Sequence, residues 1–457
     1  VSELSLQQLQ AGELSAKYRG AQNLDPVIRL QISAELTEFP NEIFELADSL
    51  EILDLSNNQL TDLPNDLDRL VNLRILFLSN NNFEKIPKVV AACPKLEMIS
   101  FKSNDLVEVG EEVLPLDTRW LILTDNRIET LPNSFGQLHR LQKLALAGNR
   151  LTQLPESMAN CRNLELARLS ANELVAMPDW LFQLPKLSWL AFSGNAFNRD
   201  QVEHNSSVVD VALSDIELGE LIGEGASGLI YRARWINQPD VLQGTDKEIA
   251  VKVFKGDVTS DGYPQDELDC CLSAGKQENL IEVIAQLDQA DSDNTSGIVM
   301  KLISNDFYNL GLPPSLITCT RDTFAEGTSF SAAATQRIAL QMLEGLCHLH
   351  SQGISHGDIY AHNTMINRDF ELLFGDFGAA TNLNALSELH RGAMERVEVR
   401  AFACLLEDLY GLLNDNKDSE IKEKLNNLIQ AGMSEETWRR PSFEEMKAQL
   451  EIPIKAM

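Results

Sequence analysis

One asparagine recurs through the first half of this chain at almost fixed intervals, and that period restricts the fold more than any other feature. It stands at Asn58, Asn81, Asn104, Asn126, Asn149, Asn172 and Asn195, in steps of 23, 23, 22, 23, 23 and 23 residues. Before the first of them the chain reads Leu50-Glu51-Ile52-Leu53-Asp54-Leu55, and Pro64, Pro87, Pro132, Pro155 and Pro178 each follow an asparagine by six residues. Self-similarity at such a period marks stacked units, none of which can bury its apolar face alone. Each unit supplies one short strand whose leucines point into a continuous core. The asparagine amide, both donor and acceptor, can bond the backbone of the turn leaving the strand, where main-chain groups lack ladder partners. That reading makes the asparagines structural, not catalytic.

The pattern L-x-x-L-x-L-x-x-N, in seven registered units, resembles the leucine-rich-repeat family. The resemblance implies an α/β repeat solenoid over residues 27–200, preceded by a segment at 1–26. A weaker unit at 27–49 keeps Leu30, Ile32, Leu36 and Pro40 without the asparagine, as an N-terminal cap should. In this register the residue before the second leucine projects from the concave sheet. That column reads Ile52, Ile75, Met98, Trp120, Lys143, Leu166 and Trp189, and the next outward column contains Phe77, Ile122 and Arg168. An apolar column on an open sheet is costly unless something covers it. It is expected to bind a protein partner, with Trp120 and Trp189 as anchors, or to be covered by the rest of the chain.

At 457 residues the chain exceeds one compact domain. With 38 basic and 68 acidic side chains its formal charge is −30, which argues against nucleic acid or anionic membrane as partner. The seven cysteines include the adjacent Cys270 and Cys271 but no C-x-x-C, and are expected as reduced thiols of a cytoplasmic protein. Val1-Ser2-Glu3-Leu4 lacks the basic-then-apolar pattern of a signal peptide, and no run of 18 apolar residues could span a bilayer.

A short polar join at 201–214 separates the repeats from a second set of motifs. Gly223-Glu224-Gly225-Ala226-Ser227-Gly228, flanked by Ile222 and Ile230, is a G-x-G-x-x-G loop. A dinucleotide-binding loop would open a helix. Here Leu229–Trp235 and then Ile249–Val253, which carries Lys252, both read as strands. Glu267 lies 15 residues after Lys252, with Asp266 and Asp269 as near alternatives. His356-Gly357-Asp358 precedes Asn363, and Asp376-Phe377-Gly378 begins 13 residues after Asn363.

This ordered set resembles the protein kinase family over about residues 215–450. The resemblance implies an α+β bilobal domain that uses ATP and Mg²⁺. Lys252 would contact phosphate and Glu267 would orient it. Asp358 would accept or orient the substrate hydroxyl, and Asn363 and Asp376 would be oxygen ligands for Mg²⁺. Ile222, Gly223, Gly225, Ser227, Gly228 and Ile230 would close over the nucleotide. Ala250 and Met365 would sandwich the adenine, Met300 would be the gatekeeper, and Lys301 and Ile303 would follow it into the hinge. His348 and His350 read as packing residues, His356 as a hydrogen-bonder beside Asp376, and residues 420–447 as amphipathic helices.

Three departures qualify the resemblance. Gly357 stands where many kinases carry the arginine that receives an activation-loop phosphate, so activity is expected without that phosphorylation. Tyr360 and His362 replace the lysine and arginine that serine/threonine and tyrosine kinases carry at those two positions. Glu398, which aligns with a helix aspartate of the family, follows Asp376 by only 22 positions; Ala393-Met394-Glu395 is the nearest remnant of A-P-E. The peptide platform is therefore reduced. The expected function is a protein kinase whose repeats recruit or sense a protein, as in bacterial cytosolic repeat-kinases. The rivals are a pseudokinase scaffold and a small-molecule phosphotransferase. Residues 1–205 carry a net charge of −10 and residues 206–457 a net of −20, so the acidity concentrates on the second half.

Overall fold

The computed structural model describes residues 2–3, 28–199, 208–225, 227–255, 258–259, 261–287, 296–414 and 419–451. Most of the expected segment at 1–26, and residues 201–207 of the expected join, lie outside them. The chain forms two compact units, Val1–Ala167 with Asn172–Leu184, and Arg168–Ala171 with Pro185–Met457. The division falls earlier than the join expected at 201–214.

The first unit is a ladder of parallel strands. After β1 (Ser2–Glu3) come β2 (Arg29–Gln31), β3 (Ile52–Asp54), β4 (Ile75–Phe77), β5 (Met98–Ser100), β6 (Trp120–Ile122), β7 (Lys143–Ala145) and β8 (Leu166–Arg168), whose last residue belongs to the second unit. Equivalent residues stand in register from Leu30 through Leu53, Leu76, Ile99 and Leu121 to Leu144, each wholly buried. The recurring prolines start the return. Pro40, Pro87, Pro132, Pro155 and Pro178 each cap a short helical turn, the last of them α1 (Asp179–Phe182), with φ between −61° and −75°, the angle their rings impose.

The asparagines hold the turns between. Asn58 Nδ2 donates to Ile32 O and Leu55 O, each at 2.8 Å, while its Oδ1 accepts from the N–H groups of Ala34 and Leu36 at 2.9 and 3.0 Å. Asn81, Asn104, Asn126 and Asn149 repeat the pattern one unit on. Side chains of the expected concave column are more buried than an open face would leave them. Ile75, Met98 and Leu166 are buried, while Ile52, Phe77, Trp120 and Ile122 are half-buried. Lys143 Nζ lies 4.2 Å from the centre of the Trp120 ring.

The second unit begins with Arg168–Ala171 and β9 (Trp189–Ala191), where Leu169 N–H donates to Ala191 O at 2.8 Å. Its main sheet contains β10 (Val209–Val211), β11 (Ile216–Glu224), β12 (Gly228–Trp235), β13 (Glu248–Phe254), β14 (Val283–Leu287) and β15 (Gly297–Lys301), in the order β10-β14-β15-β13-β12-β11. All neighbours are antiparallel except β10 with β14. Residues 209–211, expected within the join, thus form a strand of this sheet because Val209 and Val211 pack on its apolar core with Trp235, Val251 and Val299. Helix α2 (Pro264–Ala274) lies between β13 and β14 in sequence and starts on a proline, whose missing N–H costs nothing there.

The rest of this unit is largely helical. Helix α3 (Ala332–Ser351) is capped by Ser331 Oγ, and α4 (Glu388–Gly411) by Ser387 Oγ; α5 (Ser419–Gly432) and α6 (Phe443–Glu451) follow. Small ladders, β16 (Tyr308–Asn309) with β18 (Thr364–Ile366) and β19 (Leu372–Phe374), and β17 (Ile354–Ser355) with β20 (Thr381–Asn382), set the loops that carry Asp358 and Asp376. No helix among the described residues is long and apolar enough to cross a membrane.

Candidate active site

Strand β13 is buried on both faces and presents Lys252 from its centre. The Lys252 ammonium pairs with Glu267 of α2 and lies 3.4 Å from Asp376 Oδ1. Among the three acidic neighbours in α2, the structure therefore places Glu267, 2% exposed, on the lysine. Asp266 turns elsewhere, and burial pushes its carboxyl up to about 7. Burial opposes the charge of Lys252, but Glu267 and Asp376 outweigh it and raise its pKa above the usual lysine value. Burial likewise works against the Asp376 carboxylate, yet Lys252 holds it below the usual aspartate range. Asp376 itself takes a left-handed backbone, φ 60° and ψ 79°.

The loop before β18 carries Asp358. Asn363 Nδ2 donates to Asp358 O at 3.1 Å and to Oδ2 at 2.8 Å, which leaves the Asn363 amide oxygen for another partner. The loop is braced from beneath. Glu398, wholly buried in α4, accepts the Gly357 N–H at 2.6 Å and pairs with His350 Nε2 at 2.6 Å. His350 is thus more than a packing residue. His356 stacks on Phe374 at 4.0 Å and its Nε2 meets Gly375 O at 3.0 Å; burial lowers its pKa, so the neutral ring suits this role.

A cavity of about 710 Å³ lies under the Gly loop. Ile222, Gly223, Gly225, Ile230, Ala250, Lys252, Glu267, Met300, Lys301, Ile303, Asn363, Met365 and Asp376 line it. Ser227 and Gly228 do not, although both belong to the loop. Gly228 has another reason to be glycine, because a Cβ there would come within 2.6 Å of Val253 O on the paired strand. The apolar floor also includes Leu280, Ile281 and Phe307, which no motif points to.

The departures from the kinase pattern have structural causes. Gly357 has φ +74°, and a Cβ would lie 2.4 Å from Ala379 O and 3.1 Å from Leu190 O, so no arginine fits. The segment after Asp376 is held by β9 and its neighbours. Phe192 N–H donates to Thr381 Oγ1 at 3.2 Å, and Ser193 Oγ donates to Ala380 O at 2.6 Å. Tyr360 stacks on Trp189 with ring centres 4.7 Å apart and planes 6° from parallel. His362 turns to Asp322, with Nδ1 2.7 Å from Oδ1. Burial opposes its charge, but the Asp322 hydrogen bond raises its pKa above 6.5. Glu395 accepts the Phe443 N–H at 2.9 Å and so caps α6. The buried Arg440 donates to the carbonyls of Pro185, Arg396 and Ser434.

Two expectations for the concave columns need correction. Trp189 is 1% exposed and donates from Nε1 to Ile359 O at 3.0 Å, so it is no free anchor; the loop carrying Asp358 covers it. Arg168 does not project into solvent but pairs with Asp358 itself. Its signal in the sequence was a lone cation in a column that also holds Asp54, Phe77, Ser100, Ile122 and Ala145. Asp322, which holds both Ala361 N–H and His362, lies in no motif. All seven cysteines are unpaired, and burial raises the thiols of Cys270 and Cys271 well above their usual range.

The protein kinase domain family model matches residues 216–403, and leucine-rich-repeat models match 48–89, 117–174 and 139–197. This chain carries leucine-rich repeats and a protein kinase domain. Serine/threonine-protein kinase PLK4 of Nematostella vectensis is 26% identical over 185 residues, covering 39% of this chain and 16% of that protein. Cell division control protein 7 of Schizosaccharomyces pombe is 27% identical over 183 residues, 39% of this chain and 15% of the relative. The match thus spans about a sixth of the length of either relative. A solved leucine-rich-repeat protein of Leptospira interrogans is 28% identical, covers 36% of this chain and 48% of its own, and has a TM-score of 0.31.

Proposed function

We propose that this chain is an ATP- and Mg²⁺-dependent protein kinase that transfers the γ-phosphoryl group to a protein hydroxyl. The observation that carries this reading is the joined arrangement of Glu267, Lys252 and Asp376 on a cavity that Asn363 also lines, with Asn363 in turn holding Asp358. Phosphoryl transfer needs positioning and charge neutralisation more than covalent chemistry from the protein. Glu267 fixes Lys252 where a phosphate can meet it, and Asn363 fixes the Asp358 carboxylate toward an acceptor hydroxyl. Glu398 and His356 hold the two loops that bear Asp358 and Asp376.

The donor set suits magnesium. Asp376 and the amide oxygen of Asn363 are hard oxygen ligands on the same cavity, and two such ligands leave room for phosphate oxygens and water. Bound there, Mg²⁺ would neutralise phosphate charge. The relatives' names favour an alcohol as acceptor. The half-buried Phe77, Trp120 and Ile122 of the repeats support recruitment of a protein partner, with Ile52 beside them. Fixing of the segment after Asp376 by Phe192 and Ser193 supports activity without activation-loop phosphorylation.

The test is incubation with ATP and Mg²⁺ beside Asp376→Asn and Asp358→Ala, with phosphate mapped by mass spectrometry. Turnover and protein phosphorylation in the wild type alone are expected. A wild type that neither binds nor turns over ATP overturns the reading, and transfer that never reaches protein favours a small-molecule acceptor.

A further inference from the structure

The carboxylate of Asp358 has two holders, and one of them comes from the repeat sequence. Asn363 takes Oδ2, and the guanidinium of Arg168 takes Oδ1. Arg168 is 5% exposed and belongs to the same compact unit as Asp358. Its Nη1 donates to Gly357 O at 3.1 Å and its Nε to Asp261 Oδ1 at 2.7 Å, so the planar fork is fixed at three points. Two side chains that follow Asp358 on its own loop are engaged elsewhere. Tyr360 is committed to the stack on Trp189, and His362 to Asp322.

We propose that Arg168 is the positioning cation of this active site, orienting Asp358 for the acceptor hydroxyl while Tyr360 and His362 of its own loop are engaged elsewhere. The proposal rests on the kinase reading above. A removable inhibitory cap would be built differently. Arg168 is buried and anchored by Gly357 O and Asp261 as well as by Asp358, the Asp358 side chain remains 19% exposed with Arg168 in place, and Lys252, Glu267 and Asp376 are already joined. Removing the guanidinium would take a charge partner from each of two carboxylates, Asp358 and Asp261.

The experiment uses the full chain with ATP and Mg²⁺ and compares wild type, Asp376→Asn, Arg168→Met and Arg168→Lys. Arg168→Met is expected to lower kcat by about 10²-fold while KM for ATP stays within a factor of about 2. Arg168→Lys should regain part of the loss, and guanidinium ion added to Arg168→Ala should regain part as well. Melting temperature and affinity for a non-hydrolysable ATP analogue separate misfolding from lost positioning. If Arg168→Met does not fold, Arg168→Lys against Arg168→Gln decides by the same kcat criterion. Turnover equal to or above wild type in Arg168→Met would overturn the proposal and make Arg168 a cap. So would a lysine variant no better than the uncharged one, or a loss shared equally by nucleotide affinity. Wild-type turnover no higher than that of Asp376→Asn brings down the kinase reading and this proposal with it. An active wild type with an undiminished Arg168→Met brings down the proposal alone.

Discussion

In the repeat unit a buried polar side chain finds its partners one turn away. Asn104 reaches Leu78 O, Phe101 O and Lys102 O, and receives the Phe83 N–H. None of these partners is more than 26 residues distant, and all are neutral backbone. In the kinase unit several buried polar side chains are charged, and some of their partners lie far along the chain. Lys252 meets Asp376 across 124 residues, and Arg168 meets Asp358 across 190. A neutral amide satisfied by local backbone adds stability and can be repeated at every turn. A desolvated charge is costly unless paired, so it is kept where its field does something. The two units should therefore fail differently, one by losing stability and the other by losing rate.

The largest expected effect is on rate. Asp376→Asn and Asp358→Ala should each lower ATP turnover by about 10³-fold or more. The melting temperature should change little in the Asp376 variant, because that carboxylate lies at the cavity and not in the core. Kinetics beside calorimetry check the pair. Large unfolding with Asp376→Asn would erase the contrast between the units.

Next comes the repeat ladder. Asn104→Ala should destabilise the repeats by about 3 kcal/mol, since it strands several buried backbone groups at once. Denaturant titration would show the loss, while ATP turnover at low temperature should stay near wild type. Gly357→Ala tests the same contrast inside the kinase unit. Its Cβ would press on Ala379 O, so about 2 kcal/mol of stability and a measurable share of turnover should fall together.

These differences also explain what the sequence disclosed. Asparagine spacing revealed the repeat register because every unit solves the same backbone problem alone. Lys252, Glu267, Asp358, Asn363 and Asp376 were readable because their order is shared by a large family. For Arg168 and Trp189 the sequence left open whether a partner or the rest of the chain covers them. Periodicity tells which way a strand residue points but not what another part of the chain brings to it. Asp322 gave no signal, because a single aspartate in a polar stretch has no pattern until folding sets it beside Ala361 and His362.

The smallest expected effect belongs to that last pair, and it places a buried charge of the kinase unit in the stability column. Pairing with Asp322 raises His362 above its ordinary 6.5, with Asp358 and Asp376 adding in the same direction against the opposing effect of burial. A group whose folded pKa is raised contributes fully below its unfolded value and loses that contribution as pH rises through the folded midpoint. Unfolding free energy should therefore decline from pH 6 upward by the His362 share, and His362→Gln should flatten that part of the curve. Melting curves across this range check it. A slope that survives the substitution would assign the proton to another group, and would leave Asp322 as a holder of the Ala361 N–H alone.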